Sequence, residues 1–158
     1  MTKDLDRRIT LAEDIMRRLE SGERLSHVLE NAKLLMAMSD RKLQEALLDI
    51  LIHGLTRATY QAKMFNDPVY KTAGKKYSEL CVYEDVAALK LSVYEMENLR
   101  QSPAMHIRMS EEASRQTVLN QIYYAKVKSA LDALRSYIYI ITSQIWNESL
   151  KLKEKDNL

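Results

Sequence analysis

Arg100 and His106 form the pair of side chains that stands nearest to a catalytic arrangement in this sequence. They bracket the run Arg-Gln-Ser-Pro-Ala-Met-His, an arginine, five residues, then a histidine. A guanidinium stays charged and can hold a developing anion, while an imidazole exchanges a proton near neutral pH. A solvated turn between two helices would carry the same residues, so the pair defines an alternative reading rather than the leading one. The other chemistry-bearing residues are sparse. His27, His53 and His106 are far apart, and none belongs to a His-x-x-x-His or Glu-x-x-His pair that would bring two ligands to one helix face. No metal and no other cofactor is therefore expected. Cys81 is the single cysteine, which excludes an internal disulfide or a cysteine zinc site, and near a helix start it reads as packing rather than as a nucleophile. Gly74-Lys75 lacks both the upstream glycine and the following Ser or Thr of a phosphate-binding loop.

The elements that would carry these residues are helices. From Val118 to Leu152 there is no Gly or Pro, and Val127, Leu131, Leu134, Ile138, Ile141 and Ile145 recur in steps of four and three. That rhythm keeps one stripe of a helix facing a partner. As one helix the stretch spans about 52 Å, too long to bury its stripe alone. Val82, Val86, Leu89, Val93 and Met96 repeat the rhythm in a helix expected from about Tyr77 to Arg100. Ser102-Pro103 then breaks the chain, and the last helix is expected from Pro103 to about Lys153. The two form a long C-terminal hairpin over 77–153.

Residues 1–60 read as three shorter helices. The first carries Leu5, Ile9, Ala12, Ile15 and Leu19 at helical spacing, with Glu13–Arg17 and Asp14–Arg18 as supporting pairs, and stops at Ser21-Gly22. The second runs from about Arg24 to Met38. Ser39-Asp40 offers an N-cap for the third, which Gly54 can end. Asp67-Pro68 has the form of a helix start. The fold class expected is all-α, a single helical bundle of about five helices over 1–158.

Composition narrows the function. The chain is 46% hydrophobic and 29% charged with a formal charge of +2, so no global field draws it to nucleic acid or to anionic lipid. Lys71, Lys75, Lys76, Lys126, Lys128, Lys151, Lys153 and Lys155 would form a nucleic-acid surface only if the fold gathered them, so nucleic acid is a less favoured partner. No apolar run is long enough to span a bilayer, and MTKDLDRRIT is charged from its start. No membrane partner and no signal peptide are expected, and the cytoplasm is the default compartment. Tyr83, Tyr94, Tyr123, Tyr124, Tyr137 and Tyr139 fall on the long helices, either flanking the core or supplying a protein-binding face.

Two resemblances add to this. The Arg100–His106 spacing resembles the Arg-x(4–6)-His signature of the HEPN family, all-helical proteins that include many ribonucleases. It implies a metal-independent ribonuclease in which Arg100 stabilises the phosphorane while His106 moves a proton, the two acting together on the RNA phosphate across a dimer. The run from Leu19 to Leu47, with Leu25-x-x-Val28-Leu29-x-x-Ala32, resembles the N-terminal helices of AbiTii-like abortive-infection proteins. That likeness extends over residues 19–60. The chain departs from it at Ala46, Ile50-Leu51 and Gly54-Leu55, where the family tends to carry a Trp and a Glu-Leu before Gly-Tyr. It implies a phage-defence setting and transfers no catalytic residue. The reading that results is a non-enzymatic protein-interaction or assembly module. Its homodimer interface is expected at Val127, Leu131, Leu134, Ile138, Ile141, Ile145, Val86, Leu89, Val93 and Met96, with a further protein partner of unknown identity.

Overall fold

The computed structural model describes residues 2–54, 66–81, 91–99 and 111–156. They form six helices: α1 Thr2–Glu20, α2 Leu25–Met38, α3 Lys42–His53, α4 Pro68–Cys81, α5 Val93–Glu97 and α6 Glu111–Asp156. The described residues contain no strand, and the fold is an all-α helical bundle.

Local chemistry sets most of the helix ends. Gly22 takes a φ of 81°, and the Gly22 and Glu23 amides donate to the Leu19 and Arg18 carbonyls at 3.2 and 3.1 Å. That pair of bonds closes α1 with a left-handed residue, which glycine adopts without steric cost. Gly54, φ 75°, follows α3. Asp67 Oδ1 accepts from the Val69 amide at 3.0 Å, and Pro68 opens α4. Ser39-Asp40 behaves differently from expectation. Asp40 adopts φ 55° and the Arg41 amide donates back to the Met36 carbonyl at 2.9 Å. The pair therefore ends α2, while Arg41 precedes α3 with no side-chain cap. Asp tolerates the left-handed region, so a small polar pair serves as a stop as readily as a start.

The helix expected from Tyr77 to Arg100 is also corrected. α4 begins at Pro68, and Leu91 and Ser92 are not helical. Ser92 instead opens α5. Its hydroxyl accepts from the Glu95 amide at 3.2 Å, and the Glu95 carboxylate accepts from the Ser92 amide at 3.1 Å. This reciprocal capping box is legible as Ser92-x-x-Glu95, but the heptad spacing of Val82 to Met96 runs straight across it. The buried Tyr77 of α4 holds the residues just before α5, its hydroxyl donating to the Leu91 carbonyl at 2.7 Å.

α6 is the spine. Its 46 residues extend about 69 Å. α1 lies antiparallel along its C-terminal half, burying Leu5, Ile9, Ala12, Ile15 and Leu19. The flank of this contact is polar and regular. Asp6 pairs with Lys153 at 2.7 Å, Glu13 accepts from Trp146 Nε1 at 3.1 Å, and Glu20 accepts from the Tyr139 hydroxyl. The partners are seven residues apart on both helices, so one bond forms every two turns. Glu13 is thus taken by Trp146, and Arg17 pairs with Asp14 at 2.6 Å rather than with Glu13. At the end of α1, Arg135 reaches across from α6 and donates to the Leu19 and Glu23 carbonyls at 3.1 and 2.6 Å. Those carbonyls close the turn after α1, where intrahelical partners run out.

α2, α4 and α5 also pack on the spine. α2 and α3 pack on each other and α4 packs on α3. The short α5 lends Glu97 to the start of α2, where Arg24 supplies no side-chain cap and Glu97 Oε2 accepts from the Ser26 amide at 3.3 Å.

Replacing Arg135 by Ala removes two charged hydrogen bonds, one to the Leu19 carbonyl and one to the Glu23 carbonyl. The variant is expected to lose about 2 kcal/mol of stability, read by chemical denaturation, with Arg135→Lys falling between it and the parent.

Candidate functional site

The stripe expected to meet a second copy is instead occupied within the chain. Val127, Leu134, Ile138, Ile141 and Ile145 are buried, and Leu131 is half-buried against the same core. Val93 and Met96 are buried as well. α1, α4, α5 and α2 cover these positions, so exposing them to another molecule would require dismantling the bundle. Val86, Leu89, Arg100 and His106 lie outside the described residues.

Cys81 is buried, and burial pushes its thiol up to about 12. Burial of this kind disfavours the thiolate at neutral pH, as in a cysteine used for packing. His27 is exposed beside Glu23, its Nδ1 3.9 Å from Oε1. Several of the described lysines are engaged by neighbours. Lys153 pairs with Asp6, Lys33 with Asp49 and Lys76 with Glu79, while Lys76 and Lys128 sit over the rings of Tyr137 and Tyr124. The tyrosines divide between roles. Tyr77 is core, Tyr137 and Tyr139 flank it, and Tyr94 is exposed. Among the described residues no group of three His, Cys, Asp or Glu is placed to hold a metal ion.

Two features stand out. The first is a buried polar cluster that joins α2, α3 and α4. Asp49, only 4% exposed, accepts from Lys33 Nζ at 2.9 Å on Oδ1 and from the Tyr70 hydroxyl at 2.8 Å on Oδ2. His53, one turn further along α3, places Nε2 3.7 Å from Oδ1. Burial pushes the Asp49 carboxyl upward, but the bonds from Lys33 and Tyr70 and the charges of Lys33 and His53 outweigh it. The net effect holds Asp49 below the usual carboxylate range. The group is therefore an ionised carboxylate with both oxygens engaged, which makes it a clasp between helices and a poor proton acceptor. The sequence carried a signal for it, since Asp49 is the one charge inside the apolar run Ala46-Leu47-Leu48-Asp49-Ile50-Leu51-Ile52. Its partners come from 16 residues upstream and 21 downstream and carried none.

The second feature is a groove on the outer side of α1 and α2. Leu11, Leu34 and Met38 form its apolar floor, and Asp6, Arg7, Thr10 and Asp14 line its α1 wall. Toward the start of α1 it continues past Asp4 and Arg8. Leu34 is 50% exposed in a helix whose other face, Val28, Leu29, Ala32, Leu35 and Met36, is buried.

No family model matches this chain, and no curated protein or solved structure is significantly similar to it. No helix among the described residues is long and apolar enough to cross a membrane.

Removing Lys33 takes the cationic donor from Asp49 Oδ1 and leaves the Tyr70 bond on Oδ2. Lys33→Ala is expected to cost about 2 kcal/mol at pH 7 by chemical denaturation. Because the Asp49 pKa is depressed on folding, its contribution is complete above the ordinary carboxylate value of about 4 and is lost as pH falls through the lowered one. Asp49→Asn is expected to be less stable at pH 7 and to show a shallower acid-side decline. For Cys81, a colorimetric disulfide reagent is expected to react fully only after denaturant is added; rapid reaction of the native chain would contradict the burial.

Proposed function

We propose that this chain is a helical docking module, acting by presenting a surface to another protein chain and not by catalysis. The observation that supports it is the α1–α2 groove, where Leu34 stands half exposed beside Leu11 and Met38 within a rim of alternating charge. Among the described residues Tyr94, Ile140 and Leu152 are the other large apolar residues left exposed, and they lie on other helices. Isolated apolar residues are ordinary on a protein surface, whereas an apolar floor with a polar rim is the form of a docking site. A partner helix fits such a groove by laying its apolar face on the floor and matching the rim with polar groups. The resemblance of residues 19–60 to AbiTii-like abortive-infection proteins supports a role beside a phage-defence system.

A photo-crosslinking residue at position 34, with position 152 as an exposed apolar control, tests this in cells. Discrete protein adducts from 34 and none from 152 are expected. The absence of adducts at 34, or adducts formed with RNA, would overturn the docking reading and in the second case return attention to Arg100 and His106.

A further inference from the structure

The groove carries a charge pattern that specifies its occupant. Arg7 and Asp14 stand on its α1 wall two turns apart, and Thr10 and Leu11 lie midway between them. Reversing the direction of such a helix exchanges the positions of the two charges. An antiparallel copy centred between Thr10 and Leu11 therefore sets Arg7 opposite Asp14 of the second copy and Asp14 opposite Arg7 of the second copy. We propose that the α1–α2 groove is the interface of an isologous homodimer, in which α1 of each copy lies in the groove of the other. This inference rests on the docking reading above and names its partner.

Several observations favour a second copy over an unrelated helix. The pattern is complementary to itself under a two-fold rotation, the symmetry of most homodimers. Both charges are available. Arg7 is exposed, and Asp14 is held by Arg17, whose side chain is 74% exposed, and by Arg18 at a looser 3.7 Å. Exposed pairs of that kind exchange partners at little cost. The apolar contribution falls at the centre, where Leu34 and Met38 of α2 flank Leu11. The division of labour is physical. Burial of Leu11, Leu34 and Met38 provides the affinity, and the two symmetric ion pairs fix direction and register, which is what rim charges do best. The α6 stripe takes no part, since α1 already covers it from its other side.

The test is the solution mass of the full chain by light scattering and sedimentation, alone and in mixtures. The parent is expected at about twice its 18.4 kDa chain mass. Arg7→Asp places two acids opposite each other twice per dimer, and Asp14→Arg does the same with two arginines. Each variant alone is expected to weaken the dimer by about tenfold or more. Mixed, the two variants place opposite charges together at both contacts and are expected to form a heterodimer with parent-like affinity. Leu34→Glu is expected to be monomeric and unrescued by either. Circular dichroism confirms that each variant keeps its helices, so loss of mass is not loss of fold. A monomeric parent at 100-micromolar concentration (of the order at which weak dimers form), an undiminished Arg7→Asp dimer, or a mixture that stays monomeric overturns the second copy as occupant. Adducts from position 34 to a different protein, with a monomeric parent, would overturn the homodimer and leave the docking reading standing.

Discussion

The antiparallel contact between the first helix and the last is the constraint from which the rest of the bundle follows. α6, with 46 residues, is more than twice as long as any other described helix. α1 takes its C-terminal half and seals the flank with Asp6–Lys153, Glu13–Trp146 and Glu20–Tyr139. Arg135 then fastens the turn after α1 to the same spine. This brings the two ends of the described chain together and leaves α2 with one side on the core and one side free. The groove beside Leu34 exists because of that placement.

A second contact of a different kind holds the opposite layer. Asp49 gathers α2, α3 and α4 through a cation, a phenol and a nearby imidazole. Buried ion pairs gain little net stability over well-packed apolar residues, but losing one partner is costly. Their value lies in geometry, because a carboxylate accepts only from donors in the right places. The same α2 helix thus contributes Lys33 to the clasp, Leu34 to the open groove and Leu35 to the core in three consecutive residues. A rotation of α2 that exposed Leu35 would also pull Lys33 from Asp49, so the clasp helps hold Leu34 outward.

How much of this was legible depended on how far the determining contact lies along the chain. Gly22, Gly54 and Asp67-Pro68 marked helix ends correctly because a cap is a bond between neighbours. Ser39-Asp40 was legible as a boundary but not as a stop, since the same residue types serve both ends of a helix. Ser92-x-x-Glu95 was present and was overridden by the regular spacing of Val82 to Met96, a case where periodicity and capping gave opposite answers. Asp49 was visible as an anomaly inside an apolar run, but Lys33 and Tyr70 carried no mark of being its partners. For the candidate groove, nothing in the sequence set Leu34 apart from the other apolar residues of α2.

The amino-acid sequence by itself determined that the chain is helical, where most of the helices end and which residues of the last helix must be covered. Those properties rest on spacing and on bonds within a few residues. Only the tertiary structure decided what covers them. A stripe of Val, Leu and Ile is equally satisfied by a second copy or by the chain's own helices, because burial of apolar surface has no direction and no memory of its source. The choice fell to polar contacts such as Arg135 with Leu19, formed across 116 residues. It turned the described positions of the expected interface into core, and it left Leu34 exposed on the other side of the first two helices.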